Sequence, residues 1–279
     1  MSELDLELEL PGAIQERDAT ARTAASPSRG RLGLLTLLAL LALWWLAAEL
    51  KIVPALFLPS PLAVARRLVD VSTNGFMDAT LGQHLAASLA RIAVALIAAI
   101  LTAVPVGLAM GLSPVARGIL DPIIEFYRPI PPLAYLPLII IWFGIGELSK
   151  TLLIALAVFA PIAIATAAGV RAVPLDRINA ARSLGATRRQ LVTLVVLPNA
   201  LPDILTGIRI GLGTGWSTLV AAELIAATRG LGFMIQSASQ FLVTDVVVLG
   251  ILVIAVIAFG LELLVRFTQR VLVPWQGRA

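Results

Sequence analysis

Six apolar runs, each near the length needed to cross a bilayer, deny this chain the option of folding as a water-soluble domain. They cover Leu32 to Leu50, about Leu85 to Met110, Ile119 to Phe143, about Thr151 to Val173, Asp203 to Ile225 and Val246 to Val265. At a rise of about 1.5 Å per residue even the first extends about 28 Å, close to the hydrocarbon thickness of a membrane. Hydrocarbon offers no partner to a backbone N–H or C=O, so each run is predicted to be helical. The whole sequence agrees: 59% of its 279 residues are hydrophobic, 14% are charged, and the mean hydropathy is +0.95. A soluble domain of this length could not bury so much apolar surface. The predicted class is an all-α polytopic membrane protein with six transmembrane helices.

The spans are not uniform. Trp44 and Trp45 lie toward the far end of the first, where indole rings favour the interface. Pro54, Pro59 and Pro61 then stop the helix, and Pro61 suits the first turn of a short amphipathic helix through Val71, with Arg66, Arg67 and Asp70 wetted. The second span, bent at Pro105, ends in a polar turn over Leu112 to Gly118. The third is interrupted by Pro129, Pro131, Pro132 and Pro137, so part of it is not regular helix, and its freed backbone groups must face protein or water. Gly107 and Gly111, and again Gly207, Gly211 and Gly215, recur every four residues and allow another helix backbone to approach closely. That approach is open to a helix of the same chain or to a second copy.

Between the fourth and fifth spans lies NAARSLGATRRQLVTLVVLP, Asn179 to Pro198, a polar, arginine-rich helix-turn-helix pattern. Ala180, Ala181 and Gly185 are small enough to let a foreign surface reach the backbone, and Arg182, Arg188 and Arg189 offer charge-assisted hydrogen bonds to carboxylates. These are the properties of a docking element. Lysine and arginine are more numerous on the face that carries Arg117, Arg171, Arg177 and this segment than on the face of Lys51, Arg66, Arg67, Arg91, Lys150 and Arg229. The richer face is therefore predicted to be cytoplasmic, and an even number of crossings puts both termini there. Residues 1–31, acidic and then Ser, Thr and Arg-rich, are expected to form a flexible cytoplasmic tail without a cleavable export signal.

Two arginines fall inside spans and need protein or a wet path around them. Arg128 follows Asp121 and Glu125 at helical spacing, so it either neutralises Glu125 or faces a solute path. Arg209 has no acid within one turn of its own helix, which leaves a carboxylate on another helix or an aqueous cavity. Glu223, with Thr214, Ser217 and Thr218 a turn or two away, is a further candidate for the path, although hydroxyls in helices also bond their own carbonyls. Catalytic signatures are absent: no GxxxxGK[ST] phosphate loop, and Ser217 in GWST lacks the GxSxG turn. His84 is the only histidine and there is no cysteine, so neither a metal site nor a catalytic triad is expected, and His84 is taken as a solvated interface residue. The arginines flank apolar runs and form no basic groove with interleaved aromatics, which argues against nucleic acid.

NAARSLGA followed by VVLP resembles the cytoplasmic EAA loop of bacterial ATP-binding cassette (ABC) importer permeases. Ala180, Ala181, Gly185, Ala186, Leu197 and Pro198 match that pattern, and Asn179 stands where it has Glu. The stretches YRPIPPLAYLPLIIIWFGIGELSK and TGIRIGLGTGWSTLVAAELIAATRGLGFMI resemble the nitrate, sulfonate and taurine group of these permeases, its taurine branch most of all. The resemblance covers roughly residues 32 to 275, leaving 276–279 as a short tail. It implies the type I importer permease (MetI-like) fold in the inner membrane, with the coupling loop at about 174–202. It implies a permease subunit that moves taurine or a related small sulfonate, with a second copy, two cytoplasmic ATPases and a periplasmic or extracellular binding protein as partners. The chain itself then holds no cofactor, since ATP and Mg belong to the ATPase, and its coupling contact centres on Ala180, Ala181 and Gly185, with Arg182 and Arg188 gripping. Another anion or alkanesulfonate is the alternative cargo. An ion-coupled carrier and a scaffolding membrane protein are the alternatives of other classes.

Overall fold

The computed structural model describes residues 29–274. The tail expected over residues 1–31 lies outside them apart from Arg29 to Arg31, which open the first helix, and so does the tail over 276–279. The described chain divides after Pro61 into two compact units. The first holds α1 (Arg29–Glu49) and the proline-rich loop that follows, where Trp44 Nε1 donates to the carbonyl of Pro59 at 3.0 Å.

In the second unit the chain forms α2 (Pro61–Thr73), α3 (Leu81–Leu112), α4 (Pro114–Tyr127), a 3₁₀ turn (Pro132–Tyr135) leading into α5 (Leu136–Phe143), and α6 (Glu147–Arg171). Then come α7 (Leu175–Ser183), α8 (Arg188–Ala226), α9 (Leu231–Gln240) and α10 (Thr244–Leu272). Among the described residues five helices are long and apolar enough to span a bilayer, and the count is six when α4 and the Pro132–Phe143 segment, bent by 91°, are taken as one broken span. The all-α, six-span expectation holds.

Local chemistry sets the boundaries. Thr80 and Gln83 form a capping box at the start of α3, so this span begins four residues before the apolar run does. The polar turn expected over Leu112 to Gly118 contracts to Ser113. That one residue closes α3 and also caps α4, its hydroxyl accepting from Ala116 N at 3.3 Å, with Pro114 at the first helical position. Helix α9 between the fifth and sixth spans went unpredicted, since its ten residues are too short to stand out as an apolar run.

The core is built on α6. Ile154, Val158, Ile162, Ala163 and Ala167 meet Ile92, Ala95, Ala99 and Ala103 of α3 on one side and Leu212, Trp216 and Leu219 of α8 on the other. Both glycine stripes face α6. A Cβ at Gly107 would lie 2.5 Å from the carbonyl of Ala163, one at Gly207 2.6 Å from Cβ of Ala165, and one at Gly215 2.5 Å from Cγ2 of Val158. Gly111 meets Val170 and Gly211 meets Val158 in the same way. Of the two approaches open from sequence, the glycines take the intramolecular one. Close backbone packing replaces the hydrophobic drive that lipid cannot supply between helices.

Candidate functional site

The broken span forms one wall of a cavity. Arg128 caps α4, and Pro129, Pro131 and Pro132 prevent the helix from continuing, so the chain turns through a 3₁₀ segment into α5. Tyr135 reaches back to donate to the carbonyl of Tyr127 at 3.2 Å and ties the two arms of the bend together. Between this elbow, the Leu156–Ala165 stretch of α6 and the Ile210–Thr218 stretch of α8 lies a cavity of about 680 Å³, within the range of roughly 300–1,000 Å³ usual for small-molecule sites.

The cavity wall is mostly apolar, and its polar groups are Arg128, Tyr127, Tyr135, Thr214, Ser217 and Thr218. Arg128 is the sole charged residue lining it among the described residues. Its guanidinium has no ion pair there; the neutralisation of Glu125 expected from spacing does not form, because Arg128 ends α4 and is exposed. The hydroxyls give their protons away. Thr214 Oγ1 donates to Gly211 O at 2.9 Å, Ser217 Oγ to Gly213 O at 3.2 Å and Thr218 Oγ1 to Thr214 O at 2.9 Å. Their remaining lone pairs are acceptors. Thr214 Oγ1 also sits 3.4 Å from the carbonyl of Ala157, the group that Pro161, lacking an N–H, leaves without its helical donor.

The other two path candidates lie elsewhere. Arg209 pairs with Glu262 of α10 at 2.7 Å, so another helix supplies the carboxylate. Glu223 is 1% exposed and belongs to a network that sequence reasoning missed. Arg91 Nη1 donates to Glu223 Oε1 at 2.6 Å and to the carbonyl of Arg229 at 2.7 Å, while its Nε and Nη2 fork onto Glu147 at 2.6 and 2.9 Å. Lys150 adds a second cation to Glu147 at 2.7 Å. Ser88, Glu223 and His84 then cap α9: Leu231 N donates to Ser88 Oγ and Gly232 N to Glu223 Oε2, both at 2.9 Å, and Gly230 N to His84 Nδ1 at 3.2 Å. These are orphan donors of a helix start, which a carboxylate suits electrostatically. His84 is therefore not a solvated interface residue. It is fully buried, accepting at Nδ1 and donating from Nε2 to Phe76 O at 2.9 Å. The sequence signal was there: His84, Ser88 and Arg91 fall four and three residues apart, on one face of α3.

The arginine-rich segment projects as two short helices joined at a tight turn. α7 ends in a Schellman motif, with Ala186 N donating to Ala181 O at 3.0 Å and Gly185 N to Arg182 O at 2.9 Å, and Gly185 in the left-handed region at φ 81°. Thr187 and Gln190 form a capping box that starts α8. Its next turn, Leu191–Val196, is π-helical, before Pro198, which has no N–H to offer the preceding turn. Ile178 packs with Val170, Val173, Val196 and Ala200 to fix the base, and Arg177 bonds the side chain of Asn199. Above this base Ala180, Arg182, Gly185 and Arg188 are exposed and Ala181 and Ala186 half-buried, while Leu197 and Pro198 sit within the packed start of α8. Leu184 stands 88% exposed, an apolar side chain offered outward.

Comparison with known proteins points the same way. The profile of the family described as binding-protein-dependent transport system inner membrane component matches residues 103–278. The chain is 65% identical over 243 residues, 87% of its length and 88% of the other's, to the taurine transport system permease protein TauC of Escherichia coli (strain K12). It is 35% identical over 276 residues, 98% of each chain, to a Bacillus subtilis (strain 168) protein, SsuC, named for aliphatic sulfonates transport. In fold it resembles a chain of the inward-facing MetNI methionine ABC transporter, with a TM-score of 0.57 at 20% identity over 68% of this chain and 94% of that one. On this family profile and this relative, the chain belongs, as a permease subunit, to the inner membrane components of binding-protein-dependent transport systems.

Proposed function

We propose that the chain is the permease through which taurine, or a small sulfonate like it, enters the cytoplasm, and that the elbow cavity receives the solute. The observation that carries this is the unpaired Arg128 guanidinium, the one charge lining that cavity among the described residues. A sulfonate oxygen pair suits a guanidinium fork, and the acceptor oxygens of Thr214, Ser217 and Thr218 suit the ammonium of a zwitterion. The similarity to a taurine permease supports the choice of cargo.

Two copies of the chain pair with two ATPases, which bind ATP and Mg, and a binding protein delivers solute at the opposite face. The hairpin Ala180, Ala181, Arg182, Gly185, Ala186, Arg188 through Leu197 and Pro198 enters a groove of the ATPase. Nucleotide binding then biases a rigid-body rocking of the helices between inward- and outward-open states. The excess of lysine and arginine on the hairpin's face supports a cytoplasmic hairpin and cytoplasmic termini.

The test is uptake of radiolabelled taurine by cells or vesicles carrying the chain with its ATPase and binding protein. Arg128→Gln is expected to lower uptake by about tenfold or more, the scale of one charge-assisted contact, with Arg128→Lys intermediate. Uptake equal to that of the natural sequence would overturn the role of Arg128. Uptake of another anion in preference to taurine would overturn the cargo.

A further inference from the structure

A second cavity, of about 510 Å³, lies where the middle of α8 meets the C-terminal end of α10, and its lining includes Arg209, Arg266, Gln269 and Arg270. Glu262 Oε1 holds Nε of Arg209 at 2.7 Å and Nε of Arg266 at 2.8 Å. In each pair the closest contact is made by Nε, and neither guanidinium pairs with a second carboxylate among the described residues. Arg270 has no ion pair among the described residues. Among the described residues, three guanidiniums face one carboxylate, an excess of two positive charges. Beside it, Leu263, Phe267 and Val271 form an exposed apolar strip on the neighbouring face of α10, one turn apart from each other.

We propose that this cavity holds the phosphodiester headgroup of an anionic phospholipid whose acyl chains lie along Leu263, Phe267 and Val271. Charge complementarity argues for the headgroup, since a guanidinium fork matches two phosphate oxygens and basic pockets between membrane helices recruit acidic lipids. Continuity of the charged cavity with an apolar strip argues for a lipid over a free anion, which has no use for the strip. The shared Glu262 preorients two of the three forks. It also explains why Arg209, a costly residue in a span, lies away from the elbow cavity.

Native mass spectrometry of the full-length permease in mild detergent, with dioleoylphosphatidylglycerol or dioleoylphosphatidylcholine added, reads this directly. The natural sequence is expected to retain phosphatidylglycerol in preference to phosphatidylcholine. Arg266→Gln with Arg270→Gln is expected to cut that preference by about 30-fold, from roughly fivefold for each basic residue at a membrane surface. Arg266→Lys with Arg270→Lys keeps the charge and is expected to keep most of the preference, which separates loss of the site from loss of the fold. Equal retention of the two lipids by the natural sequence would overturn the proposal, as would an undiminished preference in the Gln variant. Displacement of the bound lipid by millimolar inorganic phosphate would reassign the site to a soluble anion and overturn the lipid.

Discussion

Arg91 and Glu223, 132 residues apart in sequence, meet at 2.6 Å, with side-chain exposures of 6% and 0%. Taking two charges out of water is expensive, and here both groups are bonded to further partners. Glu223 also accepts from Ser88 and the N–H of Gly232, and Arg91 also donates to Glu147 and the carbonyl of Arg229. The pair thus joins α3 to α8 and fixes the loop that starts α9.

Breaking this pair from one side strands a buried charge. Arg91→Met or Glu223→Leu is each expected to cost about 3–5 kcal/mol. The double variant should cost less than the sum, because the second change removes the stranded partner. Thermal unfolding of detergent-solubilised protein measures this, and strictly additive losses would show that the two side chains act independently.

The glycines of α8 should separate by what lies above them. A Cβ at Gly207 meets Ala165 and the carbonyl of Pro161, whereas one at Gly213 meets nothing within 4 Å. Gly207→Ala is expected to destabilise by about 1–3 kcal/mol through overpacking. Gly213→Ala, gaining helix propensity without a clash, is expected to stabilise by about 0.5–1 kcal/mol. Equal effects of the two substitutions in the same unfolding measurement would count against the α6 to α8 contact.

Gly185 combines a left-handed backbone with open space around it. Gly185→Ala should strain the turn by about 1–2 kcal/mol and leave the protein inserted. Gly185→Trp adds bulk where the ATPase is proposed to sit, and should abolish ATP-driven uptake while membrane insertion, followed by immunoblot, is unchanged. Retained uptake in the Trp variant would remove the turn from the coupling contact.

Outside the spans, Asp70 has its carboxyl held below the usual aspartate range, first by the Asn74 amide and then by Arg67, which also bonds Asp245 of α10 at 3.0 Å. A depressed carboxylate contributes stability above its unfolded value and loses it as pH falls through the folded one. Acidification below the ordinary carboxylate range should therefore loosen the last turns of α2, where Arg67, Asp70 and Asn74 are bonded to one another, seen as faster hydrogen exchange there. Asp70→Asn should remove that part of the pH dependence.

The apolar runs, the proline break and the outward hairpin were legible because each depends on local chemistry. Hydrocarbon length fixes a span, a missing N–H ends a helix, and small residues around Gly185 mark a turn. The sites of Arg209 and Glu223 were not legible. Their partners, Glu262 and Arg91, lie 53 and 132 positions away, and nothing within one turn of either residue indicates them. His84 shares its face of α3 with Ser88 and Arg91, but only the arrival of Gly230 and Phe76 at its two nitrogens makes it a buried cap.

By itself the sequence determined that the chain is a helical membrane protein, where its apolar runs break, and which family it belongs to, since these follow from periodicity, composition and contiguous motifs. Tertiary structure alone decided which charges are paired and which are free. A charge within a span is acceptable only with a partner or water beside it, and which of these it finds depends on helices brought together from distant parts of the chain. Arg209 finds a carboxylate, Arg91 finds two, and Arg128, placed at the elbow by three prolines, finds the cavity.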